Sequence, residues 1–409
     1  MKKLVQINTV CNNSTGQIMH DIQKEAVAQG YDAISFVGRR KVYTDLKCEK
    51  FGNPISFWSH VVINTLFDCQ GYGSYFATQK LIRRLREENP DIIHLHNLHG
   101  YYLHLPLLFR YLKEEFKGKL FWTFHDCWPF TGHCPYFVIA ECSRWKKKCY
   151  KCPQKTSYPI SFFLDLSSKN HENKKKMFTS VKNLTIITPS EWLGRLTEKS
   201  FFKGFNVQVI HNGIDTGTFS PCLDKLKIQE ILSKYSIPDN RKILLGVAGI
   251  WESRKGLDKF IGLSGLVGDD YIIVLVGLSK HKIKSMPDSI IGIERTENKA
   301  DLAVLYSMAH IFINPSMEES FSLVTVEAMA CGTPVIALGT SAVKELVDED
   351  CGIILRQNHV KDYMDAIKEI ESKSLSRELI AQKALRYRKE CMTKKVLELY
   401  EYTEQVISE

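Results

Sequence analysis

Apolar and polar positions run along this chain in short blocks that switch between two periods. LVQINTV (4–10) is an apolar run too short for a buried helix and reads as a strand. Residues 16–30 then place apolar side chains at helical spacing and stop at Gly30, and DAISFVG (32–38) returns to strand. This is a βαβ unit, in which parallel strands are joined by a crossover helix. Further strands are predicted at DIIHLHN (91–97), KLFWTFHD (119–126), NLTIITPS (183–190) and VQVIHNG (207–213). Helices are predicted at 78–89, ending before Pro90, and at 101–116 and 191–202, with Pro106 marking a kink or a first turn. Residues 40–73 are rich in aromatics but show no period, and no element is assigned to them.

A second series repeats the pattern. Strands are expected at KILLGVAGI (242–250), YIIVLVG (271–277), SIIGIE (289–294) and HIFINPS (310–316), with a charged helical segment from about Ser376. Between the two series, HNGIDTGTFSP (211–221) is polar, has no period and reads as an interdomain connection. The fold class is therefore α/β: two Rossmann-like domains, each a doubly wound, mostly parallel sheet.

The most informative stretch is HIFINPSMEESFSLVTVEAMACGTPVIAL (310–338). A strand stops at Asn314-Pro315, a helix is expected from about Ser322 to Ala330, Gly332 suits a left-handed C-cap, and Pro334 precedes another strand. Glu319 lies in the loop and Glu327 in the helix, eight positions apart. Helix starts after strands of α/β sheets attract anions through their free N–H groups. Together with the AMACGTPVIA tail, this resembles the E-x7-E signature of the family-4 glycosyltransferases, retaining enzymes of the GT-B fold.

The resemblance implies that Glu327 holds the ribose hydroxyls of a donor nucleotide and Glu319 approaches the transferred sugar. The backbone of Ser320, Phe321, Ser322, Leu323 and Val324 would receive the donor. In the loop WESRKG, Arg254 and Lys255 stand before a helix and would neutralise the departing diphosphate. The arginine customary about five residues before the lysine is replaced here by Ile250. Gly16 is either a structural turn or a close approach to donor diphosphate or acceptor. His125 is either a structural histidine paired with Asp126 or an imidazole at the transferred sugar. The implied domains are 1–211 on the acceptor side, 212–387 for the nucleotide sugar, and a helix at 388–409 that returns to the first domain.

Charge changes the picture of the first half. Of 55 Lys and Arg against 46 Asp and Glu, residues 1–205 hold 30 against 17, concentrated at 143–155 and 173–176. Such clusters suit anionic membranes, nucleic acid, phosphorylated substrates or simply water. The N-terminus reads as a first strand rather than a signal peptide. The expected place is the cytoplasm, peripheral at the inner membrane face. The implied partners are a UDP- or GDP-linked sugar and a saccharide or lipid-linked acceptor, with no nucleic acid. The alternatives are a basic zinc-containing nucleic-acid-binding protein and a sugar-nucleotide epimerase.

Three further groups could carry chemistry. Cys134, Cys142, Cys149 and Cys152 form an insertion at about 127–155 whose C-x-x-C pair suits a structural zinc, the rivals being packed thiols or a redox element. This insertion is similar to one in a polysaccharide-synthesis (colanic-acid-like) branch of the family. His94, His96, His99 and His104 read as packing or acceptor-side residues. Asp348-Glu349-Asp350 reads as an exposed turn, and no catalytic metal is expected.

Overall fold

The computed structural model describes residues 1–40 and 44–402. The chain divides into two compact units: Met1–His211 together with the stretch from Met392, and Asn212–Cys391.

Unit 1 is built on strands β1 (Lys3–Asn8), β2 (Asp32–Val37), β3 (Cys48–Lys50), β4 (Ile92–Leu95), β5 (Lys119–Thr123), β6 (Leu184–Thr188) and β7 (Asn206–Val209). They form one sheet in the order β3-β2-β1-β4-β5-β6-β7, and every ladder is parallel. Helices α1 (Asn13–Ala28), α2 (Pro54–Phe67), α3 (Tyr75–Glu88), α4 (Leu105–Glu114), α5 (Ser167–Phe178) and α6 (Glu191–Glu198) flank it. Strand β6 is buried at every position, as expected when helices cover both faces of a parallel sheet. On one face Trp122 anchors an aromatic core, with ring centroids 5.8 Å from Phe109 and 5.0 Å from Phe178.

Unit 2 holds β8 (Lys242–Val247), β9 (Tyr271–Val276), β10 (Ile290–Ile293), β11 (Ile311–Asn314), β12 (Val335–Leu338) and β13 (Gly352–Leu355), ordered β10-β9-β8-β11-β12-β13 and again all parallel. Its helices are α7 (Lys225–Lys234), α8 (Leu257–Ser264), α9 (Lys280–Ile283), α10 (Lys299–Met308), α11 (Leu323–Ala330), α12 (Val360–Ser372) and α13 (Arg377–Ala384). The charged C-terminal segment is not one helix: a 3-10 turn at Leu385–Tyr387 separates α13 from α14 (Lys389–Tyr402). In unit 1, Tyr400 of α14 reaches the sheet, its hydroxyl 2.5 Å from Nδ1 of His94. The rest of the expected returning helix lies outside the described residues.

In both sheets the chain reverses its direction of travel once, between β1 and β4 and between β8 and β11. At such a reversal the loops leaving the two adjacent strands diverge to opposite faces, opening a crevice at their carboxyl ends where ligands of α/β sheets bind. Arg254, Lys255 and the stretch from Glu319 to Ser322 fall on the loops leaving β8 and β11, Glu327 lies in α11, Gly16 in the first turns of α1, and His125 just past β5. Helix α4 starts at Leu105, so Pro106 occupies its first turn, where a missing N–H costs nothing.

Candidate active site

In unit 2 the loop leaving β8 tightens into a 3-10 turn at Ser253–Lys255 and ends at Gly256, whose φ is 71°. A Cβ on Gly256 would stand 2.8 Å from the Pro315 side chain, so glycine is what lets this loop lie against the loop leaving β11. The contact is sealed by backbone and side chain. The N–H of Met317 donates to the Arg254 carbonyl at 2.8 Å, and Arg254 Nη1 donates to the Glu318 carbonyl at 3.0 Å.

Across this seam Lys255 Nζ forms an ion pair with Glu319 Oε1. Burial alone would push the Glu319 carboxyl up, but the Lys255 and Arg254 cations outweigh it and hold it below the usual range. The Glu319 backbone is fixed as well: its N–H donates to Ser341 Oγ at 3.0 Å, and Ala342 N–H donates to its carbonyl at 3.3 Å. Arg254 also pairs with Glu252 at 3.2 Å. Arg254 therefore braces the loops, while the Lys255 charge is taken up by Glu319. Ile250, at the customary arginine's place, is exposed.

Ser322 precedes α11 in a left-handed conformation, with φ 86°. A non-glycine residue there costs on the order of 1–3 kcal/mol and needs outside support. Asn314 supplies it, its Nδ2 donating to Ser322 Oγ and to Thr325 Oγ1, both at 3.0 Å. With its hydroxyl engaged sideways, Ser322 makes no side-chain cap bond to the N-terminus of α11, whose first N–H groups attract an anion. Phe321 is fully buried edge-on against Tyr387, centroids 5.6 Å apart, while Ser320, Leu323 and Val324 stay partly exposed.

One helical turn further, Tyr306 of α10 donates from its hydroxyl to Glu327 Oε2 at 3.1 Å. Burial raises the Glu327 carboxyl to about 7, although the Tyr306 hydrogen bond pulls the other way. Tyr306 and Ser341 had no local signal in the sequence. Each is an ordinary residue made relevant only by the neighbour that the fold brings to it.

In unit 1, Gly16 of α1 packs against the loop that leaves β1 and is glycine for a plain steric reason. A Cβ there would meet the Cys11 carbonyl carbon at 2.5 Å. His125, past the end of β5, does not pair with Asp126. Its Nε2 lies 3.2 Å from Nδ1 of His96, and the two rings stack with centroids 5.5 Å apart. Asp126 turns instead to His99, whose Nε2 is 2.7 Å from its Oδ2, and accepts from the Trp128 N–H at 2.9 Å. The structural alternative of a His125–Asp126 pair is thereby corrected. Burial lowers His125 to about 4, so its imidazole is neutral at neutral pH and suits hydrogen bonding rather than charge. His94 and His96 are fully buried, held by Thr123 at 2.7 Å and Gln6 at 3.0 Å.

Cys134, Cys142, Cys149 and Cys152 line one small pocket with His133. The Gly132 N–H donates to Cys149 Sγ at 3.2 Å, but burial outweighs that bond and pushes the Cys149 thiol up to about 11. The donor chemistry suits zinc, yet among the described residues no group of three or more ligand side chains is spaced to hold a metal ion. Asp348 and Asp350 converge on Lys383 Nζ, at 2.8 and 2.5 Å, as an exposed turn would.

Two family models cover most of the chain. One described as Glycosyltransferase Family 4 matches residues 16–218, and one described as Glycosyl transferases group 1 matches residues 227–387. A protein designated a colanic acid biosynthesis glycosyl transferase, WcaC, of Escherichia coli strain K12 is 24% identical over 84% of this chain and 82% of its own. Among solved structures, sucrose-phosphate synthase of Thermosynechococcus elongatus superposes with a TM-score of 0.72 at 15% identity, covering 98% of each chain. HepE of Anabaena, solved with UDP and glucose, gives 0.66 at 14% identity over 98% of this chain and 99% of that one. Among the described residues no helix is long and apolar enough to cross a membrane. With two parallel sheets that each reverse strand order once and family matches on both units, the chain belongs to the family-4 glycosyltransferases of the GT-B fold.

Proposed function

We propose that this glycosyltransferase moves a sugar, with retention of anomeric configuration, from a UDP- or GDP-linked donor to a saccharide or lipid-linked saccharide acceptor. The setting would be cell-envelope or exopolysaccharide synthesis at the cytoplasmic membrane face. The observation that carries this reading is the Lys255–Glu319 pair at the strand-order reversal of unit 2, next to the start of α11 and the half-buried Glu327.

In the donor complex the diphosphate takes over Lys255 and the N–H groups at the start of α11, which stabilise the charge that builds as it leaves. Glu319, released from Lys255, accepts from a sugar hydroxyl. Glu327, ionised, accepts from the ribose hydroxyls. The bond from the anomeric carbon to the β-phosphate oxygen breaks while the acceptor oxygen bonds on the same face. The acceptor proton passes to the leaving phosphate oxygen. On unit 1, neutral His125 offers a hydrogen bond to a sugar hydroxyl, and Gly16 lets α1 lie close against the loop that leaves β1. HepE, solved with UDP-glucose, and the polysaccharide role in WcaC's name support donor class and setting.

In the cysteine pocket Cys134, Cys142, Cys149 and Cys152 would be the residues to hold a structural zinc, which would tie the insertion together. It would take no part in transfer.

The test is a panel of nucleotide sugars assayed for nucleoside diphosphate release without acceptor. At least one should be cleaved by the native chain, and by neither Glu319→Ala nor Glu327→Ala. Interconversion of the free donor into another sugar nucleotide would instead indicate an epimerase. Failure to bind any member of the panel, together with salt-sensitive binding of nucleic acid, would overturn the transferase reading.

A further inference from the structure

Helix α2 of unit 1 is built inside out. Its inward positions are polar: His60 and Asn64 are 1% and 0% exposed. His60 accepts at Nε2 from the Gly71 N–H at 3.1 Å and meets Ser74 Oγ through Nδ1 at 3.0 Å. Asn64 Nδ2 donates to the Ile160 carbonyl at 2.9 Å. Its outward positions are apolar: Ile55 is 82% exposed, Trp58 63% and Val62 54%. Spaced three and four residues apart, they share one helix face.

The face continues onto two neighbours. The Phe162 N–H donates to the Thr65 carbonyl at 2.9 Å, which fixes exposed Phe162 and Phe163 beside the end of α2. Ser74, hydrogen-bonded to Ser56 of α2 at 3.3 Å, leads directly into α3, where Phe76 is 82% exposed. From Phe51 to Gln79 the sole charged residue is Asp68, and it is buried against His133. Water-facing helices of soluble proteins do not carry this pattern, and a contiguous apolar face of this kind marks an interaction site.

The charges around the face select its partner. Lys155 Nζ donates to the carbonyls of Phe162 and Phe163, at 3.2 and 3.4 Å, placing a cation directly behind the two rings. Lys80 and Arg83 are exposed one and two turns along α3 from Phe76. A tryptophan and phenylalanines flanked by cations match an interface of acyl chains below and anionic headgroups above.

We propose that the outward face of α2, with Phe162, Phe163 and Phe76, inserts into the headgroup–acyl boundary of an anionic lipid bilayer. The lysines act as its rim rather than as the attachment itself. This deepens the membrane-face setting proposed above and rests on it, but it makes no use of the donor site.

The test is flotation of the full chain with vesicles of phosphatidylglycerol and phosphatidylcholine. The native chain should float with them and stay partly bound in high salt. Trp58→Ser, Phe162→Ser and Phe163→Ser should each weaken partitioning about tenfold, with unchanged circular dichroism and donor cleavage. A triple variant that floats like the native chain, while neutralising Lys146 to Lys148 releases it, would overturn insertion in favour of surface charge alone. A native chain that ignores vesicles but self-associates through Trp58 would overturn it in favour of a second copy. Donor cleavage is read separately, so loss of the donor reading leaves the flotation result standing, and the reverse.

Discussion

Lys255 and Glu319 lie 64 residues apart in sequence and form an ion pair across the loops that leave β8 and β11. The pair spans the place where the sheet's strand order reverses, and each partner is mostly shielded from water, at 18% and 13% side-chain exposure. Each charge is therefore held in a surrounding where a phosphate or a sugar hydroxyl can compete for it on favourable terms.

Removing the cation separates binding from stability. Lys255→Ala leaves Glu319 beside Arg254 alone and removes the charge facing the leaving diphosphate. Donor cleavage should fall about 100- to 1,000-fold in kcat. Lys255→Arg should recover only part of this, because a planar guanidinium does not reproduce a compact ammonium. Acceptor-free donor cleavage, followed by nucleoside diphosphate release, checks both.

Glu327 makes the unliganded chain pH-sensitive in a calculable direction. Burial raises its carboxyl to about 7 from an ordinary value near 4.5, so the folded state holds the proton more tightly than the unfolded one. Its contribution to stability is full below about pH 4.5 and is lost as pH rises to about 7, on the order of 1–3 kcal/mol. Urea unfolding of Glu327→Gln at several pH values should lack this slope. Nucleotide affinity should run the other way, rising toward pH 7 as the carboxylate that accepts the ribose hydroxyls forms.

The cysteine pocket predicts a mass. Native mass spectrometry of the purified chain should show one zinc beyond the polypeptide. Cys149→Ser should lose it and lower the thermal midpoint while donor cleavage persists. A bare polypeptide mass with four alkylatable thiols would mean that the cluster is packed cysteine only.

Much of this was legible before any coordinates. Strands of a doubly wound sheet are buried on both faces, so they show as apolar runs between helical periods, and β1, β6, β9 and β11 stand out this way. Helix α2 did not, for a physical reason. Its outward face is apolar and its inward face carries His60 and Asn64, so the contrast that marks a soluble helix is inverted. Within the site, Glu319, Glu327 and Lys255 were recognisable from the motifs around them. Their pairing was not, because it depends on Gly256 letting two distant loops touch. The His125–Asp126 neighbours misled in the opposite way. Adjacent residues past a strand end point apart, and each side chain found its partner on the β4 side of the sheet, in His96 and His99.

The central claim is that unit 2 holds a nucleotide-diphospho-sugar through Glu327 and Lys255. Calorimetric titration of UDP and GDP into the native chain and Glu327→Ala tests it most directly. Saturable binding of one nucleotide at one site is expected, weakened at least about tenfold by Glu327→Ala. Equal affinity in both proteins, or no binding of either nucleotide to the native chain, would contradict it.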